Sequence, residues 1–376
     1  MKQEEHFGFG TIKKLEGILE ETSAKKVFLV TGKNSYASCG AENSLRGLLG
    51  KYDFSRFYDF EENPKIEDVR RGMNSFRKFN PDLVIGVGGG TALDMAKLLN
   101  ILSLQTHDPE EYICRGEEIK KRGKPLVLVP TTSGTGSEAT NFAVVYVDKK
   151  KYSLAHEFML PNYTIIDPSF TLNLPKIITA STGMDALSQA IESYWVTGST
   201  QDSREHSRNA INLAMENLQI AVNNPTDESR LAMAKSANLA GKAINITKTT
   251  APHAISYAFT SHFGIPHGHA VGLTLGKFLE YNGQVTEEDY NDSRGPEFVK
   301  KSIGELCGLL NVESPHLAKD KLDSLMSEIG LETSISSLGI KSEEDLDLII
   351  ENVNVERLTN NPRRINKDVM KTLLRS

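Results

Sequence analysis

At Leu174-Pro175 the chain changes character, and this change constrains its fold more than any other feature. Before it, short apolar runs rich in β-branched residues alternate with helical periodicities. The runs are 27–31, 55–60, 83–87 and 126–129; helical spacing covers 67–79, with Val69, Met73 and Phe76 on one face, and 93–102. Strands alternating with helices predict a parallel sheet with crossover helices. Two further runs, 142–147 and 152–156, joined across Asp148-Lys149-Lys150, predict an appended hairpin. After Pro175 strand-like runs vanish. Helical patterns take over at 179–196, 203–222, 227–246, 252–263, 269–281, 296–311, 316–330, 343–354 and 366–374. The expectation is an α/β nucleotide-binding domain over 1–175 and an all-α domain over 176–376, a division that 376 residues can support.

Charge and cysteine content narrow the function. A net charge of -6 with no long run of one sign argues against nucleic acid as a partner. Cys39, Cys114 and Cys307 are too few and too scattered for a disulfide framework, which points to a reducing compartment. There is no apolar signal core at the N-terminus. No apolar stretch approaches the ~20 residues that span a bilayer. A cytoplasmic protein is expected, acting as a homodimer or higher homo-oligomer.

Two glycine-rich loops follow predicted strands. Gly88, Gly89, Gly90 and Thr91 precede a helix that carries Asp94, so backbone can approach a pyrophosphate while the helix N-terminus offers unpaired N–H groups. Thr131, Thr132 and Thr135 lie in the second loop, 130–138, whose hydroxyls and glycines suit ribose and phosphate. Strands of one parallel sheet deliver both loops to its carboxyl edge, where such sheets bind ligands. After the first strand come Gly32 and Lys33, with no carboxylate to accept a ribose 2′-hydroxyl. Lys33 can instead face a 2′-phosphate, which favours NADP(H) over NAD(H).

The helical half holds the candidate chemistry. His253 falls early in a helix opened by Pro252, and His267 in the rigid turn after Gly264 and Pro266. Asp185 and Gln189 are four apart, on one face of a predicted helix. Alone, such a pair reads as a helix face bonded to neighbouring backbone; with the two histidines it becomes a set of four ligands for a divalent metal. Tyr257 and His269 are candidates for the proton relay. Lys248 and Arg204 are candidates to hold an anionic substrate group, with Arg363 and Arg364 behind them.

With these motifs in view, the chain resembles the iron-containing (group III) alcohol dehydrogenases. The match runs through Glu62-Asn63-Pro64, both glycine loops, Asp167-Pro168, Gly183-Met184-Asp185-Ala186-Leu187, Pro266-His267-Gly268 and Asn361-Pro362-Arg363. The resemblance implies the dehydroquinate synthase-like architecture, with metal and nicotinamide in a cleft between the domains. It implies that Gly89, Gly90 and Thr91 touch pyrophosphate and that Thr131, Thr132, Thr135 and Lys151 line the nicotinamide-ribose side. It also implies Fe²⁺ or Zn²⁺ at Asp185, Gln189, His253 and His267. Tyr194-Trp195 and the segments 250–257 and 264–271 look like the phosphonoacetaldehyde reductase branch, which reduces that aldehyde to 2-hydroxyethylphosphonate. Two positions depart from the family pattern: most members have His where Gln189 stands, and many have His where Tyr257 stands. The expected function is metal-dependent, NAD(P)H-linked reduction of a small aldehyde. Alternatives are a general short-chain alcohol or diol dehydrogenase, and a nucleotide-binding sensor or scaffold with a decayed metal site.

Overall fold

A computed structural model of the chain describes residues 3–148, 150–353 and 355–375. The chain divides into two compact units, Met1–Leu174 and Pro175–Ser376.

The first unit is built on a six-stranded, wholly parallel sheet in the order β1-β8-β5-β4-β2-β3. Its strands are β1 (Glu4–Phe7), β2 (Lys26–Thr31), β3 (Asp53–Phe57), β4 (Leu83–Gly88), β5 (Leu126–Pro130) and β8 (Tyr163–Ile166). Between them run α1 (Lys14–Glu21), α2 (Ser35–Ser38), α3 (Ala41–Leu49), α4 (Ile66–Phe79), α5 (Gly90–Leu102) and α6 (Pro109–Cys114). Because side chains alternate across a strand, one sheet needs two cores. Phe28, Val30, Val84 and Leu128 pack with residues of α4 and α5 on one side. Val27, Leu29, Ile85, Val87 and Val129 pack with residues of α1 and α3 on the other. The expected hairpin is present as β6 (Phe142–Val147) and β7 (Lys150–Ala155), paired antiparallel. Sequence reasoning missed the short β1 and β8, and placed the third strand two residues late.

Register positions the loops. Thr31 pairs with Val87, and Gly88 with Pro130, so β2, β4 and β5 end side by side. Their loops therefore open on one edge of the sheet.

The second unit is helical: α7 (Lys176–Trp195), α8 (Gln201–Asn223), α9 (Asp227–Thr247), α10 (Ala251–Phe263), α11 (His267–Gly283), α12 (Pro296–Leu309), α13 (Pro315–Glu328), α14 (Glu343–Glu351), α15 (Val355–Leu358) and α16 (Lys367–Arg375). Helix α7 runs through its middle, packing on α8, α9 and α11. It is buried on nearly every side from Thr179 to Trp195, the hallmark of a core helix. A core helix has little reason to carry polar side chains. Yet Asp185, Ser188, Gln189, Glu192 and Ser193 are all buried along it. Threonine N-caps with capping boxes start α8 and α9, at Thr200 and Thr226. Gly264, at φ 69°, ends α10 in the left-handed region, and Pro266 then sets the entry to α11.

Candidate metal centre and nucleotide loops

Asp185 on α7 meets His253 from the first turn of α10 and His267 from the first residue of α11, and Gln189, one turn on along α7, places its side chain against Asp185. His253 Nε2 lies 3.3 Å from Asp185 Oδ1, and His267 Nε2 lies 3.8 Å from the same oxygen. Donor atoms bonded to one ion at ~2.0–2.2 Å stand roughly 3–4 Å apart, so these spacings fit. The approach depends on Gly268. A Cβ there would stand 1.9 Å from the Ser181 carbonyl oxygen and 2.8 Å from Asp185 Cβ, so only glycine lets α11 start against α7.

Of the buried polar atoms without a hydrogen-bond partner among the described residues, three belong to this group: Asp185 Oδ1, Gln189 Oε1 and His253 Nε2. Such orphans cost about 1–3 kcal/mol each unless something satisfies them. All three are lone-pair donors of the expected ligand set. A divalent cation would satisfy such donors, and a set of carboxylate, amide oxygen and two imidazoles has the chemistry to hold Fe²⁺ or Zn²⁺. The Gln189 amide, the departure from the family pattern within the expected ligand set, is among the orphans.

Behind these ligands stands Glu192, which sequence reasoning overlooked. Its Oε1 takes the Nδ1–H of His253, while Oε2 accepts from the Thr250 amide at 2.7 Å and the Thr250 hydroxyl at 2.8 Å. Thr250 Oγ1 in turn accepts from the Trp195 indole at 3.0 Å. With Nδ1–H committed, His253 is left with Nε2 as its ligand nitrogen. The Ser256 hydroxyl sits 3.4 Å from His267 Nδ1 and favours the same tautomer there. Burial works against charge on His253, but Glu192 and Asp185 overcome it and raise the imidazole pKa to about 9. Burial likewise opposes charge on Asp185, yet the two histidines hold its carboxyl below the usual range. The signal for Glu192 was present: it lies seven residues after Asp185 on a buried helix, hence on the same face.

The relay and anchor candidates separate. Tyr257 stacks on His267, with ring centroids 5.6 Å apart and planes 9° from parallel. Burial keeps its phenol protonated well past neutrality, only partly opposed by Arg357, which donates to its oxygen at 2.7 Å. His269 does not join the cluster: its ring bonds the Glu332 carbonyl through Nε2 at 2.6 Å, which fixes it as a helix-to-loop tie. Arg204 is no substrate anchor either. It is paired to Glu305, donates to Ser302 at 2.9 Å and lies over the Tyr194 ring. Arg363 is tied to Asp289 and the Tyr281 carbonyl. Lys248 stays near the site, solvent-accessible yet closely surrounded. Partial desolvation and the charge of Arg357 hold its ammonium below the usual lysine range.

In the first unit, Gly88 has φ 155°, and a Cβ on it would strike Ala92 at 2.7 Å. Side chains at Gly89 and Gly90 would meet Thr132 at 3.5 Å and Thr135 at 2.7 Å, so the two loops abut across a side-chain-free surface. Thr91 is the second residue of α5, beside them, and Thr131 is joined to Gly88 through its amide at 2.9 Å. These features fit a pyrophosphate over the start of α5. Asp94 is otherwise engaged. Its carboxylate accepts from the Ser137 hydroxyl at 2.5 Å and the Val144 amide at 2.9 Å, so it braces the loop and does not face a ligand. Lys151 contributes a favourable charge to Asp94 from β7. Lys33 is exposed, and Gly32 is backed by Arg56, whose guanidinium donates to the carbonyls of Gly32 and Lys33 at 3.1 and 3.2 Å.

Comparison with known proteins agrees with this arrangement. Residues 3–168 match the family model described as iron-containing alcohol dehydrogenase, and residues 179–376 match its C-terminal counterpart. The phosphonoacetaldehyde reductase of Streptomyces viridochromogenes is 32% identical over 82% of this chain and 79% of its own. Long-chain-alcohol dehydrogenase 1 of Geobacillus thermodenitrificans is 29% identical over 94% of this chain and 89% of its own. The sulfoacetaldehyde reductase of Bifidobacterium kashiwanohense, solved with NAD⁺, superposes with a TM-score of 0.88 at 30% identity, covering 99% of this chain and 96% of that one. No helix among the described residues is long and apolar enough to cross a membrane. A parallel-sheet unit with a glycine cradle, a helical unit with a knot of unsatisfied metal donors, and matches over both halves lead to one conclusion: the chain belongs to the iron-containing alcohol dehydrogenase family and is an oxidoreductase.

Proposed function

We propose that the protein reduces a short aldehyde bearing a strongly acidic head group, phosphonoacetaldehyde first among them, to the corresponding alcohol. NAD(P)H and a proton are consumed, and the product of that substrate is 2-hydroxyethylphosphonate. The observation that carries this reading is the set of three orphaned donors around Asp185, Gln189 and His253, with His267 beside them. Asp185, Gln189, His253 and His267 would hold a divalent ion, which would supply Lewis-acid assistance to the carbonyl. The protein's own part is to keep that set ready. Glu192 and Ser256 orient the two imidazoles, and Gly268 allows α11 to reach α7. Tyr257, kept as a phenol, is the donor for the product's oxygen. The reading of a sensor with a decayed metal site loses its support, since Gln189 offers an unpaired ligand atom.

For the cofactor, the absence of a carboxylate beside Gly32 and the cations Lys33 and Arg56 support NADPH over NADH. A cytoplasmic homo-oligomer completes the reading. Sulfoacetaldehyde is a second candidate, favoured by the Bifidobacterium enzyme, whose named substrate carries a sulfonate. The test is metal analysis of the purified protein, followed by kinetics with phosphonoacetaldehyde, sulfoacetaldehyde and propanal, each with NADPH and NADH. We expect a metal-dependent reductase whose kcat/KM for an acidic aldehyde exceeds that for propanal by about a hundredfold. Equal efficiencies across the three aldehydes would reduce the reading to a general short-chain alcohol dehydrogenase.

A further inference from the structure

Arg357 entered no sequence argument, yet it stands one aromatic ring from the candidate metal centre. Its Nη1 donates to Tyr257 Oη at 2.7 Å and to Thr249 Oγ1 at 3.1 Å, and its guanidinium carbon is 5.4 Å from the centre of the Tyr257 ring. The same ring stacks on the imidazole of His267. Both oxygens that Arg357 meets are neutral. Among residues whose side chains are described, no carboxylate pairs with it. The arginines at 204, 294 and 363 differ in this respect, each being bonded to a carboxylate.

A second, independent feature marks the same place. Lys248, at the end of α9, has φ 71° and ψ -173°, a region essentially reserved for glycine. Strain of this kind persists where surroundings enforce it, and it gathers at ligand clamps. The strained turn leads directly into Thr249 and Thr250, which touch Arg357 and Glu192. It also sets a lysine close enough to Arg357 for the two charges to repel. A guanidinium fork suits the oxygens of a phosphonate or sulfonate, and a second cation beside it adds to the attraction for such an anion.

We propose that Arg357, with Lys248 beside it, grips the oxyanion head of the substrate while its aldehyde end lies at Asp185, His253 and His267. This rests on the reading of the protein as an aldehyde reductase. It assigns the substrate class to short aldehydes ending in a tetrahedral, strongly acidic group.

The test is the ratio of kcat/KM for phosphonoacetaldehyde, and separately for sulfoacetaldehyde, to that for propanal in wild type, Arg357→Lys and Arg357→Met. In Arg357→Met the ratio for the true head group falls about ten- to a hundredfold, carried by KM, and Arg357→Lys recovers part of the loss. The head group whose ratio collapses identifies the substrate. A ratio unmoved by Arg357→Met in a wild type that prefers an acidic aldehyde overturns this inference alone, whereas a wild type that prefers neither acidic aldehyde overturns it together with the acidic-head-group reading and leaves a general short-chain alcohol dehydrogenase. A wild type that reduces none of the three aldehydes overturns the reductase reading as well. Should Arg357→Met fail to fold, ethylphosphonate and ethanesulfonate decide: competitive inhibition of wild-type propanal reduction by either supports the anion site, and inhibition by neither overturns it.

Discussion

The two units build their candidate sites by opposite means. The sheet unit works by omission: at Gly88, Gly89 and Gly90 side chains are missing, and main chain is left open for contact. The helical unit works by addition, loading a core helix with polar side chains and leaving three ligand atoms without partners. A backbone cradle can lose any one contact and still hold a diphosphate. A side-chain knot depends on each member and on what stands behind it. Substitutions should therefore do graded damage in the first unit and steep damage in the second.

The steepest effect is expected at His267. His267→Ala removes a donor 3.8 Å from Asp185 Oδ1, and activity should fall about a thousandfold or more, the equivalent of ~4 kcal/mol of lost Lewis-acid assistance. Metal analysis and kcat measured on the same sample check it. Full turnover in a demonstrably metal-free variant would end the metal mechanism.

Next comes Glu192→Gln, which tests whether the layer behind the ligands matters. An amide cannot serve both partners. With its oxygen toward His253, its NH₂ faces the Thr250 amide and hydroxyl, which are donors. Turned about, it faces His253 Nδ1 with a donor and drives the proton onto the ligand nitrogen. Metal affinity should fall about 10–100-fold. The pH dependence carries a second signature. Without metal, His253 has its pKa raised to about 9, so at neutral pH binding must displace a proton. Wild-type affinity should therefore drop about tenfold for each pH unit below that value. Glu192→Gln lowers the pKa by removing the negative charge, so the same titration should flatten near neutrality. Identical affinity and slope in the two proteins would show that Glu192 only fills space.

In the sheet unit the expected change is smaller. Gly32→Asp adds an acceptor for a ribose 2′-hydroxyl and repels a 2′-phosphate. The NADPH/NADH efficiency ratio should fall about tenfold. The new Cβ would stand 2.1 Å from Ser35 Oγ, which a rotation of that serine relieves. A wild type that already prefers NADH strongly would show that Lys33 and Arg56 do not set the preference.

The same contrast explains what the sequence made legible. Glycine loops after strands are local, so the cradle, its loops and the alternating fold could all be read along the chain. Asp185, Gln189, His253 and His267 were also within reach, because helix spacing and a proline turn constrain where they point. The miss at Glu192 came from stopping one turn short on α7, where burial of the whole helix shows that its polar stripe continues. Arg357 is different in kind. It lies 100 residues from Tyr257, on a four-residue helix with no periodicity to reveal its direction. His269 and Arg204 were misread for the converse reason: their partners, the Glu332 carbonyl and Glu305, are brought in by tertiary packing alone.

The smallest effect tests whether strain in the helical unit is tied to its site. Lys248 holds a backbone conformation that costs of order 1–3 kcal/mol for any residue with a Cβ. Lys248→Gly relieves that cost but gives the unfolded chain more freedom, worth ~0.5–1 kcal/mol in the other direction. The balance should leave the glycine variant about 1 kcal/mol more stable, a rise of roughly 2 °C in Tm. Lys248→Ala keeps the strain and loses only the ammonium, so it should melt below the glycine variant. Both variants should lose preference for an acidic aldehyde to the same extent, since both lack the charge. Alanine and glycine variants that melt together would mean the turn at 248 is relaxed, and the strain argument for a clamp beside Arg357 would fail. A glycine variant that melts higher yet keeps full preference for the acidic aldehyde would separate the strain from the charge, and leave Arg357 to hold the head group alone.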